Sequence, residues 1–348
     1  MKTRAAVLRE TGRPLVIEEL ELPELKAGQA LVRIACSGVC HSQLNEIKGL
    51  KGEDAFLPHA LGHEGAGTVE AVGPEVNKVK PGDSVVLSWI KGSGHDVPST
   101  IYRDSNGSAV NSGAIATFME YAVISENRVT PVSLALPPDI AALLGCAVAT
   151  GAGAVFNTAG VTPGSTVAVF GAGGIGLCAI QAAASKKAEK IIAVDIREHK
   201  LATARDFGAT HTVNSSEKEP AQAITALTDG RGADYAIEAT GVREMMEQSF
   251  LSVRNNGGTA VIVGNLPHRE KISIDPFALI CGKHIVGSWG GDTVPERDFP
   301  LYADLYLSGD FKLDALITHR FPLEDINRAF DALEQGRVGR AIIELQDK

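Results

Sequence analysis

No block of lysine and arginine interrupts this sequence of 348 residues, and its formal net charge is −9. A nucleic-acid surface needs a basic patch, so that class of partner is not expected. Cysteine is scarce: Cys36, Cys40, Cys146, Cys178 and Cys281 are odd in number and scattered. A chain of this length fills a core without covalent staples, so metal ligation or plain burial explains a thiol better than a disulfide framework. The opening Met1-Lys2-Thr3-Arg4-Ala5-Ala6-Val7-Leu8-Arg9-Glu10 meets a second arginine before any signal-peptide core develops. One uncharged stretch, Thr166 to Ser185, imitates a membrane span, but Gly171, Gly173, Gly174 and Gly176 crowd its first half and would break a spanning helix. The expectation is a cytoplasmic protein with no membrane partner.

What is present is an ordinary globular composition, 44% hydrophobic and 22% charged, long enough for two domains. From about residue 165 short apolar runs alternate with helical patterns. Strands are predicted at 166–170, 191–194, 211–213, 235–238, 260–263 and 284–288, and helices at 174–187, 200–207, 220–227 and 243–253. That alternation means a parallel sheet covered on both faces, a doubly wound α/β fold. The first 145 residues differ: Gly/Pro turns such as Lys80-Pro81-Gly82-Asp83 separate short strands at 30–35, 67–72 and 84–87, a barrel-like all-β pattern. Lys91 to Gly113 is polar and reads as a long surface loop or lobe. After residue 290 the pattern turns mostly helical and ends in a strand at 341–345, expected to return to the first domain.

Gly171-Ala172-Gly173-Gly174-Ile175-Gly176 fits G-x-G-x-x-G, follows a predicted strand and opens a predicted helix, and Asp195 ends the next strand 19 residues after Gly176. The first glycine permits the turn, the second admits a pyrophosphate, and the third packs helix against strand. Asp195 would accept hydrogen bonds from the adenosine ribose and repel a 2′-phosphate, which favours NAD over NADP. Arg197, two residues on, keeps NADP open.

Cys40 in Gly38-Val39-Cys40-His41-Ser42, His63 in Gly62-His63-Glu64-Gly65-Ala66-Gly67 and Cys146 in Leu144-Gly145-Cys146-Ala147 are 23 and then 83 positions apart, so spacing alone does not join them. Singly, each has an ordinary reading as a buried thiol or a turn-capping imidazole. These three segments, the glycine fingerprint and Leu316-Ile317-Thr318-His319 together resemble, in order and over essentially the whole chain, the medium-chain zinc-dependent alcohol dehydrogenases. The resemblance implies a GroES-like β-barrel catalytic domain (1–148 and 290–348) and a Rossmann coenzyme domain (149–289). It implies that Cys40, His63 and Cys146 bind a catalytic zinc with a fourth position open, where zinc acts as a Lewis acid during hydride transfer to NAD. By the same resemblance Ser42 is the proton-relay hydroxyl and Glu64 an acid standing behind the metal ligands. His41 and Arg340 match pyrophosphate contacts, Lys200 a ribose contact, and Thr150 a residue packed behind the nicotinamide. Trp89 and Trp289 match positions lining the substrate pocket, which suggests an apolar or aromatic alcohol or carbonyl compound as substrate. A homodimer or homotetramer is expected by analogy.

The sequence departs from the family in three places. Many relatives carry a structural zinc on four cysteines in the lobe after Trp89; residues 91–113 contain none, and Ser93, Asp96 and Ser99 fall roughly where they would be, so one zinc per chain is expected. Gln43 stands where the family usually has an aspartate orienting the ligand histidine. Asn45 stands where some relatives carry a relay histidine. The altered surroundings keep open a reductase of conjugated double bonds or iminium ions on the same scaffold, and a cofactor-binding protein with little catalysis is the third reading.

Overall fold

The structure of the chain is a computed structural model that describes residues 1–345. Along its first part apolar residues alternate with a period of two, which buries one face of a strand. In Gln29–Gly38, Ala30, Val32 and Ile34 are inaccessible while Leu31, Arg33 and Ala35 between them are half-buried. Ten strands form here: β1 (Lys2–Leu8), β2 (Val16–Glu21), β3 (Gln29–Gly38), β4 (His59–Ala60), β5 (Glu64–Val72), β6 (Ser84–Ser88), β7 (Ile101–Arg103), β8 (Ala109–Asn111), β9 (Tyr121–Ser125) and β10 (Val129–Pro131). Two helices accompany them, α1 (His41–Ile47) and α2 (Pro138–Leu143). Strands β1, β2, β7, β8 and β4 close into a barrel, and β3 pairs antiparallel with both β5 and β9.

The polar segment 91–113 is therefore more than a loop: it carries the hairpin β7–β8 that completes the barrel. Its strands are short, and only Tyr102 and Val110 face inward while Ile101, Arg103 and Ala109 face water, so the composition hides them. Tyr102 is buried and its hydroxyl accepts from the Val123 N–H at 2.8 Å. Asp104 turns the hairpin by accepting from the N–H groups of Asn106 and Ser108, both at 2.9 Å.

The following residues form α3 (Ala149–Gly153), β11 (Thr166–Phe170), α4 (Gly174–Ser185), β12 (Lys190–Asp195), α5 (Glu198–Asp206), β13 (His211–Asn214), α6 (Pro220–Leu227), β14 (Tyr235–Glu238), α7 (Arg243–Ser252), β15 (Thr259–Ile262), α8 (Pro276–Ile280) and β16 (His284–Gly287). The six strands are all parallel, in the order β13-β12-β11-β14-β15-β16. Every residue of central β11 is buried, as a strand covered on both faces must be. The order reverses beside β11, the switch point at whose carboxyl end doubly wound sheets bind ligands. Thr166–Ser185 is thus the strand, turn and helix its glycines indicated. A different run, Pro138–Thr158, is helical, long and apolar enough to cross a membrane, and 89% of its most apolar window is buried within the protein.

The chain then forms α9 (Pro295–Leu307), β17 (Ile317–Pro322), α10 (Ile326–Glu334) and β18 (Arg340–Glu344). Strand β18 lies antiparallel to β3, with Ile342 opposite Gly38 and Glu344 opposite Cys36, and parallel to β17, a strand absent from the sequence expectation. Helix α10 buries Ile326, Ala329, Phe330 and Leu333, the i, i+3, i+4, i+7 stripe of a surface helix. Two compact units result: residues 1–146 with 294–307 and from Leu313 on, and residues 147–293 with 308–312.

Two carboxylates hold the start of the polar lobe. Glu126 accepts from the N–H groups of Asn77 (2.7 Å), Lys78 (2.8 Å) and His95 (2.9 Å). Glu296 accepts from the Ser93 N–H at 2.7 Å and its hydroxyl at 2.9 Å, and pairs with Lys78. Glycines admit them: a Cβ on Gly94 would stand 2.7 Å from Glu126 Cγ, and one on Gly92 2.3 Å from Glu296 Oε1. Burial, the largest single influence, pushes both carboxyls up, but the donors together outweigh it, so Glu126 lies below the usual range and Glu296 is pulled down to about 2. A depressed native pKa means stability present at neutral pH and lost as pH falls through that value. Glu126→Ala should cost about 2–3 kcal/mol at pH 7, from backbone donors left without an acceptor, and progressively less as pH falls through the depressed native pKa and native Glu126 takes up a proton; urea unfolding over a falling pH series measures the trend.

Candidate functional site

Three separate segments of the barrel unit deliver the sulfur and nitrogen atoms. Cys40 leaves β3 and caps the start of α1 in extended conformation, 6% exposed. His63 sits between β4 and β5, after a Gly62 at φ +107° whose Cβ, if present, would stand 2.4 Å from the Phe118 backbone nitrogen. Cys146 lies mid-way in a π-helical turn, Leu144–Val148, that follows α2; such widened turns often present functional side chains. The ligand atoms of Cys40, His63 and Cys146 all lie within 4.8 Å of one another.

Their electrostatics suit a cation. The Cys40 thiol is held well below its ordinary range, chiefly by the hydrogen bond with Cys146, and His63 and Arg340 add to this against burial. The same hydrogen bond, with burial, pushes Cys146 well up. Burial alone would lower His63, but the charge and hydrogen bond of Cys40 outweigh it and raise the imidazole. The three groups are thus electrostatically coupled, and a divalent ion would displace the protons they hold. His63 Nε2 is also buried with no hydrogen-bond partner. Two thiols and an imidazole are the donor set of zinc, and three protein ligands are the catalytic number.

Behind these ligands Glu64 has no exposure and accepts from Arg340 Nη1 at 3.0 Å. Gly38 makes room for it, since a Cβ there would stand 2.5 Å from Glu64 Oε1; a Cβ on Gly145 would meet the Leu87 oxygen at 2.4 Å and Glu64 Cα at 3.2 Å. Gln43, one turn into α1, is 1% exposed with Oε1 unpartnered. Ser42 and Asn45 on the same helix are half-buried, and His41 is exposed. The Trp89 side chain is half-buried against the barrel core, and its backbone N–H donates to the His63 carbonyl at 3.1 Å.

In the other unit the glycine loop behaves as the fingerprint requires. Gly171 has φ +93°, and a Cβ on Gly176 would stand 1.7 Å from the Gly171 oxygen. A Cβ on Gly173 would meet nothing within 4 Å, so the space beside it is open. Gly174 and Ile175 open α4, half-exposed, and no side chain caps that helix start, which leaves its dipole facing the open space. Asp195 accepts from the Ala172 N–H at 2.9 Å and the Arg197 N–H at 3.0 Å, one on each oxygen, so both oxygens keep accepting capacity. Thr150 on α3 is 6% exposed with Oγ1 unpartnered, and a Cβ on the adjacent Gly151 would stand 2.3 Å from the Ile175 oxygen, so α3 crosses close to this loop. Lys200 on α5 is half-buried and Trp289 is 74% exposed.

The sequence reading quoted Gly38 and Gly145 within their motifs without seeing what they make room for, and it missed a second cluster. Glu46, Asp54 and His59 also bring ligand-type atoms within 4.8 Å of one another. Here His59 Nε2 is hydrogen-bonded to Asp54 at 2.8 Å, and Lys51 lies 2.9 Å from Glu46, so the cluster is an ion network satisfied by protein groups.

Known proteins share this arrangement. Residues 26–134 match the model of the alcohol dehydrogenase GroES-like domain and residues 174–308 that of the zinc-binding dehydrogenase. An alcohol dehydrogenase class-3 of Myxine glutinosa is 35% identical over 98% of this chain and 97% of its own. The crystal structure of an alcohol dehydrogenase zinc-binding domain protein from Burkholderia ambifaria superposes with a TM-score of 0.93 at 35% identity, covering 100% of both chains. Benzyl alcohol dehydrogenase from Acinetobacter calcoaceticus gives a TM-score of 0.90 at 31% identity, over 99% of this chain and 100% of that one. Likeness at this level runs through both units and their order in the chain: this protein belongs to the zinc-dependent medium-chain dehydrogenases, the oxidoreductase family of the alcohol dehydrogenases.

Proposed function

We propose that the chain is a zinc- and NAD-dependent alcohol dehydrogenase, interconverting an apolar primary or secondary alcohol and its aldehyde or ketone. The observation that carries this reading is the convergence of two thiols and an imidazole within 4.8 Å, with His63 Nε2 buried and unsatisfied. Cys40, His63 and Cys146 would hold the metal. When bound, zinc supplies Lewis acidity toward the substrate oxygen and NAD supplies the acceptor for hydride from the carbinol carbon. Ser42, half-buried on α1, takes the alcohol's hydroxyl proton and passes it toward water, since Asn45, three residues on, has no titratable group. Asp195 accepts from the adenosine ribose hydroxyls, and its charge disfavours a 2′-phosphate. Open space at Gly173 and the uncapped start of α4 receive the pyrophosphate, with Lys200 flanking the ribose and Thr150 behind the nicotinamide. An apolar substrate rests on the family likeness at Trp89, whose backbone lies beside the His63 carbonyl. The largely exposed edge strand β16 supports self-association by strand addition.

Gln43 brings no charge to the ligand-bearing helix, and that observation favours the second reading, reduction of a conjugated double bond or an iminium ion. Purified protein should contain one equivalent of zinc and reduce NAD with a panel of primary, secondary and aromatic alcohols, losing activity on chelation and regaining it with zinc. Turnover of an enal but no alcohol, surviving chelation, would support the second reading instead. Two equivalents of zinc would contradict a lobe without a metal.

The glycines separate binding from folding. Gly173→Ala should leave the melting temperature unchanged while weakening NAD by on the order of tenfold or more, because its Cβ enters only the open space. Gly176→Ala should lower the melting temperature, because its Cβ meets backbone oxygen. Isothermal titration and thermal melting of both variants check the pair. Asp195→Ser should shift the NADP-to-NAD preference upward by on the order of tenfold, about 1.4 kcal/mol, in the kcat/KM ratio; an unchanged ratio would reject the ribose role.

A further inference from the structure

Asn45 offers no titratable group, yet the next residue of α1 places a carboxylate in the ion network around His59. Ser42 and Glu46 stand at i and i+4 of a regular helix, so they share a face with Cβ atoms about 5–6 Å apart. Both are half-buried. Glu46 Oε1 lies 3.7 Å from His59 Nε2, and Glu46 Oε2 lies 2.9 Å from Lys51 Nζ. Strand β4 fixes His59 by pairing it with Leu8 and Asn111, and Asp54 holds its Nε2 at 2.8 Å. His59 is only 2% exposed, whereas the Glu46 side chain is 23% exposed, so the carboxylate joins the buried imidazole to water. Helix α10 packs on α1 and brings Glu334, which is paired with Lys48. Burial and, more weakly, the Lys51 ammonium act to lower the His63 imidazole against the charge of Cys40, so the network is close enough for its charge to be felt at the ligand cluster. Two carboxylates against one ammonium leave one negative charge over while His59 is neutral. One proton brings the network to balance.

We propose that Glu46, backed by His59 and Asp54, receives the alcohol's hydroxyl proton and delivers it to solvent, doing the work of the relay histidine that Asn45 replaces. The proposal rests on the alcohol dehydrogenase reading above. The substrate O–H proton goes to Ser42 Oγ as Ser42 gives its own to a water on the same face of α1. That water passes a proton to the Glu46 carboxylate, and solvent takes it at the exposed edge of that side chain. The carbinol hydride leaves with its electron pair for NAD, so the alcohol loses one hydride and one proton and no further oxidant is needed. A base must stand within hydrogen-bond reach of the proton, directly or through one water, and one helical turn allows the second arrangement. Lys51 and His59 hold the two carboxylate oxygens in place from either side.

Glu46→Gln should lower alcohol turnover at pH 7 by on the order of tenfold or more, with zinc content unchanged. The deficit should shrink as pH rises, because hydroxide then takes the proton, and added imidazole buffer should restore part of the rate. Proton release on mixing the protein–NAD complex with alcohol, followed with an indicator dye, should slow by the same factor. His59→Gln should show the same pattern to a smaller degree, since the carboxylate stays. Melting curves report folding; if Glu46→Gln does not fold, Glu46→Asp carries the test, because it keeps the charge, shortens the reach and should give an intermediate loss with the same pH dependence. Native turnover, pH profile and proton release in Glu46→Gln would overturn the proposal and leave the proton to water alone. A loss equal at every pH and untouched by imidazole would mark a structural role and overturn it as well. A native protein that turns over no alcohol would overturn the alcohol reading together with the proposal, whereas native behaviour in the variants leaves that reading standing.

Discussion

A carboxylate without access to water must be matched by a cation or take up a proton, and the barrel unit is organised around meeting that demand at Glu64. Its partner Arg340 stands on β18, 276 positions along the chain. The C-terminal strand is therefore part of the site, although no motif there signals it. Register does the placement: β18 runs against β3 with Ile342 opposite Gly38, which brings Arg340 two residues away to the point where β3 ends and the Cys40 loop begins. Gly38 then lets the end of β3 close on the Glu64 carboxylate, and Gly145 lets its turn close on the Leu87 carbonyl oxygen, 2.4 Å from where a Cβ would stand.

The nucleotide unit uses glycine for the same physical end, close approach of backbone, but leaves one approach open. At Gly176 and Gly151 the missing Cβ is replaced by protein backbone, so those positions serve packing. At Gly173 it is replaced by nothing, and the backbone there is in an ordinary extended conformation, φ −86° and ψ −172°, that any residue could adopt. Folding therefore gives no reason for glycine at 173, and a bound group does. Position by position, this separates the part of the fingerprint that folds the chain from the part that binds.

The parallel sheet was legible because its strands are buried on both faces and need continuous apolar runs; all six expected strands lie within one residue of those observed. The hairpin at 101–111 was not, since only Tyr102 and Val110 point inward and a two-residue signal is lost in a polar segment. Strand β17 was hidden likewise: most of Ile317–Pro322 is exposed, so it lacks the alternation that betrays a half-buried strand. Of the site, the glycine loop and Asp195 could be read from local order. The metal ligands could be joined only by family likeness, because convergence across 106 positions is a property of topology. What Gly38 and Gly145 make room for, and the pairing of Arg340 with Glu64, had no sequence signal, since each is defined by what packs against it; Arg340 itself entered only through the family likeness, as a pyrophosphate contact.

The geometry also bears on whether a metal here would catalyse or merely brace. Structural zinc sites are closed by four protein ligands, whereas catalytic ones keep a position free. Among the described residues, the cluster around Cys40 and Cys146 gathers three ligand-type side chains within 4.8 Å. The carboxylate next in sequence, Glu64, is drawn toward Arg340 by a fully buried hydrogen bond, and leaving it would strand a guanidinium. Bracing in this unit is done by other means, the Glu126 and Glu296 carboxylates that gather backbone N–H groups and Ser93 at the lobe. Three ligand-type side chains with the neighbouring carboxylate engaged by its own counter-ion match the open arrangement of a catalytic metal site better than the four-ligand closure of a structural one.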